Sequence, residues 1–263
     1  MKRILFIVLF LVTALPARAQ ITVDDLETDL GGRFSVTADK KLAKGLHLSV
    51  DGELRLDERF TAVDRWQAGV GLTYKVNPYL KLGAGYLFID KLNSAGEWSP
   101  RHRGYFDVTG GFHPGRWHIT LKERLQLTHR DPLSMNVYQN TPNALSLKSR
   151  LKAEYKGFRA VSPYAFVEAR VALNDPACSV KWDGTSFSDY TFTGYTDTYF
   201  NRIRTALGLE WKISSHHALD FSLYGDYCYD KEIDTNSSGT KLKSLSYSQT
   251  FRTSLCIGYK FSF

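Results

Sequence analysis

Residues 255–263 read Leu-Cys-Ile-Gly-Tyr-Lys-Phe-Ser-Phe, and apolar side chains alternate with small or polar ones through the whole segment. Successive side chains of a β-strand point to opposite faces of the sheet. One face of this segment therefore carries the apolar set Leu255, Ile257, Tyr259, Phe261 and Phe263. The segment predicts a strand with one apolar face.

The same two-residue period runs back through most of the chain. In residues 46–56 the apolar face carries Leu46, Leu48, Val50, Leu54 and Leu56. The opposite face carries His47, Ser49, Asp51, Glu53 and Arg55. Ten such strands follow residue 45, the last included, and another is expected near 27–38, whereas helical periodicity is absent.

The links between these strands also alternate, short with long. The short, turn-like links lie at 75–78, 113–116, 156–161 and 213–217. The longer polar links lie at 91–102, 129–145, 174–198 and 230–243. Strands of about ten residues with this asymmetry are typical of outer-membrane barrels, which must close because lipid satisfies no free sheet edge. We predict an all-β fold, a closed antiparallel up-and-down transmembrane β-barrel of ten to twelve strands, as one domain over residues 20–263.

The number of strands poses a problem. Eleven strands are counted, whereas bacterial barrels normally have an even number. The turn pattern makes the first strand run parallel to the last. Either segment 21–32 adds a strand, with a break at Gly31-Gly32, or the first strand lies outside the wall. Twelve strands are favoured, and ten are the alternative.

A soluble exported barrel or sandwich is the rival architecture. The interior of a barrel of about eight strands is just filled by side chains. Ten or more strands carrying large aromatic residues would overfill such a core, whereas lipid accepts any number. Aromatic residues near the strand ends also suit the two interfacial girdles of a membrane barrel. These residues are Trp66, Tyr74, Phe112, Trp117, Tyr155 and Trp211.

The first nineteen residues have the pattern of a secretory signal peptide. Lys2 and Arg3 are followed by the apolar segment 4–15 and by the small-x-small sequence at 17–19. The apolar segment is too short to span a bilayer. We expect residues 1–19 to be a signal peptide cleaved after Ala19.

Removing the signal peptide changes the charge of the chain. The whole sequence carries 34 Lys and Arg against 27 Asp and Glu, a net charge of +7. Without Lys2, Arg3 and Arg18 the count is 31 against 27, which leaves +4. That value is mild and does not argue for nucleic acid as a partner.

Export and the last strand together indicate a location. A terminal aromatic residue that ends an alternating apolar strand resembles the assembly signal of bacterial outer-membrane proteins. We therefore expect Leu255, Ile257, Tyr259, Phe261 and Phe263 to engage the barrel assembly machinery. The predicted location is the bacterial cell outer membrane, with outer-membrane lipid as the surrounding partner.

Four segments in order resemble a known family. They are Glu-Leu-Arg at 53–55, Arg-Leu-Lys-Ala-Glu-Tyr at 150–155, Pro-Tyr-Ala-Phe-Val-Glu at 163–168 and Asn-Arg-Ile-Arg-Thr-Ala-Leu-Gly-Leu-Glu at 201–210. This order is similar to that of the bacterial outer-membrane barrel family called domain of unknown function 2490. The resemblance implies a fold and a location, and it brings no activity.

The polar face predicts a charged lumen in which basic groups outnumber acidic ones. The expected lumen residues are Glu53, Arg55, Asp107, Lys122, Arg124, Arg150, Lys152, Glu154, Glu168, Arg170, Arg202, Arg204, Asp226 and Arg252. A salt-bridged plug that fills the lumen is the favoured interpretation. A narrow, weakly anion-preferring porin-like pore is the alternative, since charge rings set selectivity. Glu123 is an exception, because its position in the two-residue alternation places its carboxylate on the apolar face.

Other functions have weaker support in the sequence. Trp182, Phe187, Tyr190, Phe192 and Tyr195 crowd the link 174–198, and exposed aromatic residues often mark a binding surface. Packing of this link over the barrel mouth explains them equally well.

No catalytic site is expected. His102, or His129 with Ser134, could serve a hydrolase at the barrel rim, but the sequence contains no hydrolase, metalloprotease or phosphate-loop motif. Cys178, Cys228 and Cys256 allow at most one disulfide and lack metal-ligand spacing. We predict no enzyme activity, no metal and no cofactor.

Overall fold

The computed structural model describes residues 22–93, 96–132, 135–182 and 187–263. The predicted signal peptide, 1–19, lies outside the described residues. The described chain forms eleven strands. They are β1 Thr22–Ala43, β2 Leu46–Asp57, β3 Ala62–Asn77, β4 Leu80–Leu92, β5 Trp98–Phe112, β6 Trp117–Arg130, β7 Asn143–Tyr155, β8 Val161–Trp182, β9 Phe187–Lys212, β10 His217–Thr235 and β11 Leu242–Ser262.

The eleven strands close into one barrel in chain order. Each strand pairs antiparallel with the next one, and β1 then pairs with β11 in parallel. The parallel seam runs from Thr22, opposite Ser246, to Asp39, opposite Ser262. Parallel closure follows from the odd number, because strands that alternate in direction bring the first and the eleventh side by side with the same direction. The predicted closed, all-β barrel is confirmed.

The favoured number of twelve strands is not found, because segment 21–32 forms no strand of its own. Its described residues, from Thr22 onward, belong to β1, and that strand passes through Gly31 and Gly32 without a break. A Cβ at Gly32 would lie 2.8 Å from the Phe60 ring. Glycine therefore admits the close approach of the β2–β3 turn, and it does not mark the end of a strand.

The two faces of the wall have opposite chemistry. Large apolar side chains are exposed on the outer face, for example Leu207 at 67% and Val50 at 54%. Polar and charged side chains are buried on the inner face, for example Asp226 at 3% and Glu168 at 4%. Burial is thus the reverse of that in a water-soluble protein, where charged groups are almost never fully buried unless paired.

None of the described segments forms a helix that is long and apolar enough to cross a membrane.

Five strands extend beyond the others at the end with the longer links. Strands β2 to β7 have 12 to 16 residues, whereas β1 and β8 to β11 have 19 to 26. The predicted loop 174–198 is therefore wrong, because β8 and β9 remain paired up to Trp182 opposite Phe187. The link 230–243 is likewise mostly strand, paired up to Thr235 opposite Leu242. We call the segments 173–182, 187–200, 229–235 and 242–248 the extended wall.

The polar composition of these two segments explains why their sequences predict loops. A strand that continues beyond the apolar belt has no need of an apolar face, so its sequence resembles a loop. Lys231 joins the strands here, since its Nζ lies 2.5 Å from Asp197 Oδ2, 2.6 Å from the Pro176 carbonyl oxygen and 3.5 Å from Asp175 Oδ2. Burial raises the pKa of Asp175 above its usual value.

Candidate functional site in the barrel lumen

All fourteen charged residues predicted for the lumen lie on the face opposite the exposed apolar side chains. They are Glu53, Arg55, Asp107, Lys122, Arg124, Arg150, Lys152, Glu154, Glu168, Arg170, Arg202, Arg204, Asp226 and Arg252. Contacts between strands that are not neighbours in the wall show that these side chains reach into the interior. Arg252 of β11, for example, lies 3.2 Å from Asp57 of β2, with β1 between them.

Asp226 forms the centre of one group of contacts. Arg33 Nη2 donates to its Oδ2 at 2.5 Å, and Arg204 donates to both its oxygens at 2.5 and 3.0 Å. The three side chains come from β1, β9 and β10, and all are buried. Charge-assisted, bidentate contacts of this kind are the strong class of hydrogen bond.

Aromatic rings fill the space beside these ion pairs. The Tyr224 ring lies 5.0 Å from the Arg33 guanidinium and 5.3 Å from that of Arg204. Phe166 packs edge-on against Tyr224 at 5.4 Å, and the Arg150 guanidinium lies 4.3 Å above the Phe166 ring. Such contacts add cation–π attraction to the packing. We call Arg33, Arg204, Asp226, Phe166 and Tyr224 the paired cluster.

The other predicted lumen acids also have basic partners. Glu168 accepts from Arg150 at 2.5 Å and from Arg202 at 3.4 Å. The further pairs are Glu53 with Arg55, Asp107 with Lys122 and Arg124, and Glu154 with Lys152 and Lys156. Each of the predicted lumen acids therefore has at least one neighbouring cation.

A second group of lumen cations has no such neutralisation. In the described part of the chain, no carboxylate oxygen lies within 4.0 Å of Arg101, Arg103, Arg130 or Lys148. Arg103 Nε donates to the Thr128 hydroxyl at 2.9 Å. The Nε atoms of Arg101 and Arg130 are buried without a hydrogen-bond partner. We call these four residues the unpaired cationic cluster.

Strand register places like charges next to one another around this cluster. Cations stand directly opposite each other in two rows. One row is Arg124, Lys148, Arg170 and Arg202 on β6 to β9, and the other is Arg33, Arg55, Arg65 and Lys91 on β1 to β4. Arg101 and Arg130 also face each other directly. Like charges in directly opposed positions are destabilising.

A family comparison covers most of the barrel. The model of a family described as a protein of unknown function, DUF2490, matches residues 33–237. The chain belongs to this family. No curated protein matches the chain.

The region matched by the DUF2490 model runs from within β1 to just beyond β10. Both the paired cluster and the unpaired cationic cluster lie inside it. Arg252 and the expected assembly signal of the last strand lie beyond it.

Sequence reasoning missed the unpaired cationic cluster for identifiable reasons. Arg101 was assigned to the link 91–102 and Arg130 to the link 129–145, but β5 begins at Trp98 and β6 ends at Arg130. Arg101 and Arg103 share the parity of Asp107, which is the signal that would have placed them in the lumen. Lys148 has the parity of Arg150 and was recognisable in the same way.

The histidines considered for a hydrolase face outward. His102 Nδ1 lies 2.6 Å from the Tyr86 hydroxyl, and His129 Nδ1 lies 2.8 Å from Asn143 Oδ1. Both histidines alternate with lumen residues, and Ser134 lies outside the described residues. Within the described ranges, no three His, Cys, Asp or Glu side chains are grouped to hold a metal ion. Cys178, Cys228 and Cys256 are not joined by disulfides.

The aromatic surface residues belong to the extended wall. The side chains of Trp182 and Phe187 lie outside the described residues. Phe192 packs edge-on against Tyr138 at 5.4 Å and against Tyr195 at 5.3 Å. The Tyr195 hydroxyl donates to the Val137 carbonyl oxygen at 2.8 Å, and the Tyr190 hydroxyl is buried. These contacts fit packing of the segment 135–142 against the wall better than a free binding surface.

Proposed function

We propose that this chain is a bacterial outer-membrane β-barrel that spans the lipid bilayer with its lumen closed by its own side chains. The observation that carries the proposal is the reversal of burial, with apolar side chains outside and charged side chains inside. A belt of exposed apolar groups around a whole barrel far exceeds the patches that soluble monomers expose. Contact with lipid removes the free-energy cost of exposing these apolar groups to water.

The ends of the belt support the proposal. Five of the six residues expected in the aromatic girdles are exposed large side chains, namely Trp66, Tyr74, Phe112, Trp117 and Trp211. Aromatic girdles flank the apolar band of membrane barrels at both interfaces. The proposal includes export by the signal peptide 1–19 and insertion through Leu255, Ile257, Tyr259, Phe261 and Phe263.

One carboxylate on the outer face is compatible with lipid contact. Glu123 Oε2 accepts a hydrogen bond from the Ser149 hydroxyl at 2.5 Å, and the two residues are directly opposed on β6 and β7. Acidic residues on the lipid face of a barrel cost less than Arg or Lys. The hydroxyl partner reduces that cost further, because an unmade hydrogen bond is expensive.

Fractionation tests the location. The full-length chain, expressed in a bacterium with an outer membrane, is expected in the outer-membrane fraction, without residues 1–19 and with heat-modifiable migration on a gel. A chain that remains soluble after removal of the signal peptide would refute the proposal.

Planar-bilayer recording tests the closed lumen. The purified mature protein is expected to give no steady channels, because ion pairs and aromatic rings occupy the interior. Steady, anion-preferring channels would instead favour the second candidate, a narrow pore, which the excess of lumen cations supports. Neither alternative requires catalysis, and we propose no enzyme activity for the chain.

A further inference from the structure

We propose that the unpaired cationic cluster is the binding site of a phosphate-bearing anion inside the barrel. The cluster is Arg101, Arg103, Arg130 and Lys148, held by β5, β6 and β7. This inference goes beyond the proposed location and closed lumen, because it assigns the lumen a ligand.

The first argument is the missing countercharge. Buried charges in proteins are paired, because an isolated ion loses its hydration without compensation. The fourteen predicted lumen residues follow this rule, and Asp226 alone serves Arg33 and Arg204. The four cations of the cluster lack a carboxylate partner among the described residues, so a ligand anion would supply the charge that the chain does not.

The second argument is the set of orphaned donors. The Nε atoms of Arg101, Arg130 and Arg202 are buried without a hydrogen-bond partner in the described structure. Buried polar atoms without a protein partner are rare, and each indicates a bound water or ion or a functional site. Here all three belong to guanidinium groups on the lumen face of β5, β6 and β9.

The third argument is convergence. Arg103 interacts electrostatically with Arg55 and Arg65 on one side and with Arg101 and Arg170 on others. Lys148 stands directly opposite Arg124 and Arg170, and it also interacts with Arg103, Arg202 and Glu168. Arg103 is therefore influenced by cations of both rows, and Lys148 belongs to the first row.

An adjoining cavity offers room for the anion. It has a volume of about 90 Å³ and is lined by Lys122, Arg124, Lys148, Arg150 and Glu168. A single water molecule needs only about 10–15 Å³ of such space. Several waters or one compact oxyanion therefore fit. Glu168 is already bonded to Arg150, which leaves the cavity with a cationic lining.

The side-chain chemistry favours phosphate. Guanidinium groups present a planar fork that binds phosphate oxygens in pairs, and Lys adds a compact positive charge. Thr128 holds the Arg103 Nε through its hydroxyl, which orients the rest of that guanidinium. The phosphate can belong to a soluble anion or to a lipid headgroup that enters the lumen.

Titration calorimetry of the mature chain in a zwitterionic detergent tests the site. The probes are inorganic phosphate, pyrophosphate and a detergent-solubilised phosphatidic acid, each at the same ionic strength. We expect pyrophosphate to bind with a Kd below 1 mM and the double variant Arg103→Gln/Lys148→Gln to weaken that binding at least tenfold. Lys41→Gln, which removes an exposed cation beside the short β1–β2 turn, is expected to change the Kd less than twofold.

Comparison of the probes identifies the source of the phosphate. Binding of phosphate and pyrophosphate supports a soluble ligand, and binding of phosphatidic acid alone supports a lipid headgroup. Binding of none of the three, or binding that the double variant leaves unchanged, would overturn the proposal. The variant's own folding is checked by its heat-modifiable migration. If the double variant does not fold, the single variant Arg103→Gln replaces it, and it is expected to weaken the binding of pyrophosphate.

Discussion

The paired cluster and the unpaired cationic cluster line the same lumen but differ in what completes them. In the paired cluster, Arg33 and Arg204 share the carboxylate of Asp226, and Tyr224 covers both guanidinium groups. In the unpaired cationic cluster, Arg103 has one hydroxyl partner and several cations around it. The first region is complete within the chain, and the second needs an outside anion.

The difference shows that lumen charge serves two separate purposes in this barrel. A plug must satisfy every buried charge, since a half-satisfied network is worse than none. A binding site must leave some charge unsatisfied until its ligand arrives. The predictions below change one region at a time and are expected to affect stability with opposite signs.

Asp226→Asn is expected to have the largest effect. It leaves the buried Arg33 and Arg204 without their shared carboxylate, and breaking a buried ion pair in this way costs about 3–5 kcal/mol. The free energy of unfolding from urea titration is expected to fall by that amount. A loss below about 1 kcal/mol would show that the paired cluster does not hold the lumen together.

Thr128→Asp is expected to stabilise the barrel without phosphate. The new carboxylate would stand where the hydroxyl now accepts from Arg103 Nε at 2.9 Å. A hydrogen bond to a charged group contributes about 1.5–3 kcal/mol. The same urea titration measures the gain, and a lower free energy of unfolding would contradict the assignment of excess positive charge to this region.

Arg103→Gln is expected to distinguish the unpaired cationic cluster from the paired cluster through a smaller change in the free energy of unfolding. Removing one of several neighbouring like charges relieves repulsion, so the free energy of unfolding is expected to stay constant or rise by up to about 1 kcal/mol. Arg204→Gln is the matched variant from the paired cluster and is expected to destabilise. Equal losses for both substitutions would remove the distinction between the two regions.

Asp189→Asn is expected to have the smallest effect. Asp189 pairs with Lys181 at 2.7 Å on the extended wall, where both side chains are largely exposed. Exposed ion pairs contribute about 0–1 kcal/mol because water and salt screen them. A shift in unfolding as large as that of Asp226→Asn would show that the energetic difference does not come from burial in the lumen.

Two-residue periodicity was sufficient for the fold class and for the lumen face. It placed Glu168, Arg204 and Asp226 on the inner side, because alternation is a local property of each strand. The pairing of Asp226 with Arg33 could not be predicted, since the two residues are separated by 193 positions along the chain. Such contacts depend on the register of every strand and on the closure between β1 and β11.

The limits of the apolar belt explain why the remaining predictions are wrong. Strand segments above the belt have no apolar face, so Arg101 and the residues near 174–198 had the composition of loops. The number of strands was uncertain for the same reason, because the polar segment 22–31 pairs only with β11 and carries little alternation. Sequence patterns therefore describe the belt well and the extended wall poorly.

The most direct test of the central claim is the shift in the thermal unfolding midpoint on adding phosphate in place of chloride at constant ionic strength. A ligand that binds only the folded state raises this midpoint by mass action. The midpoint of the wild-type barrel is expected to rise, and that of Thr128→Asp, whose new carboxylate fills the unpaired cationic cluster, to stay unchanged. Equal shifts in the two proteins, or no shift in either, would contradict the claim that this half of the lumen is built for an anion.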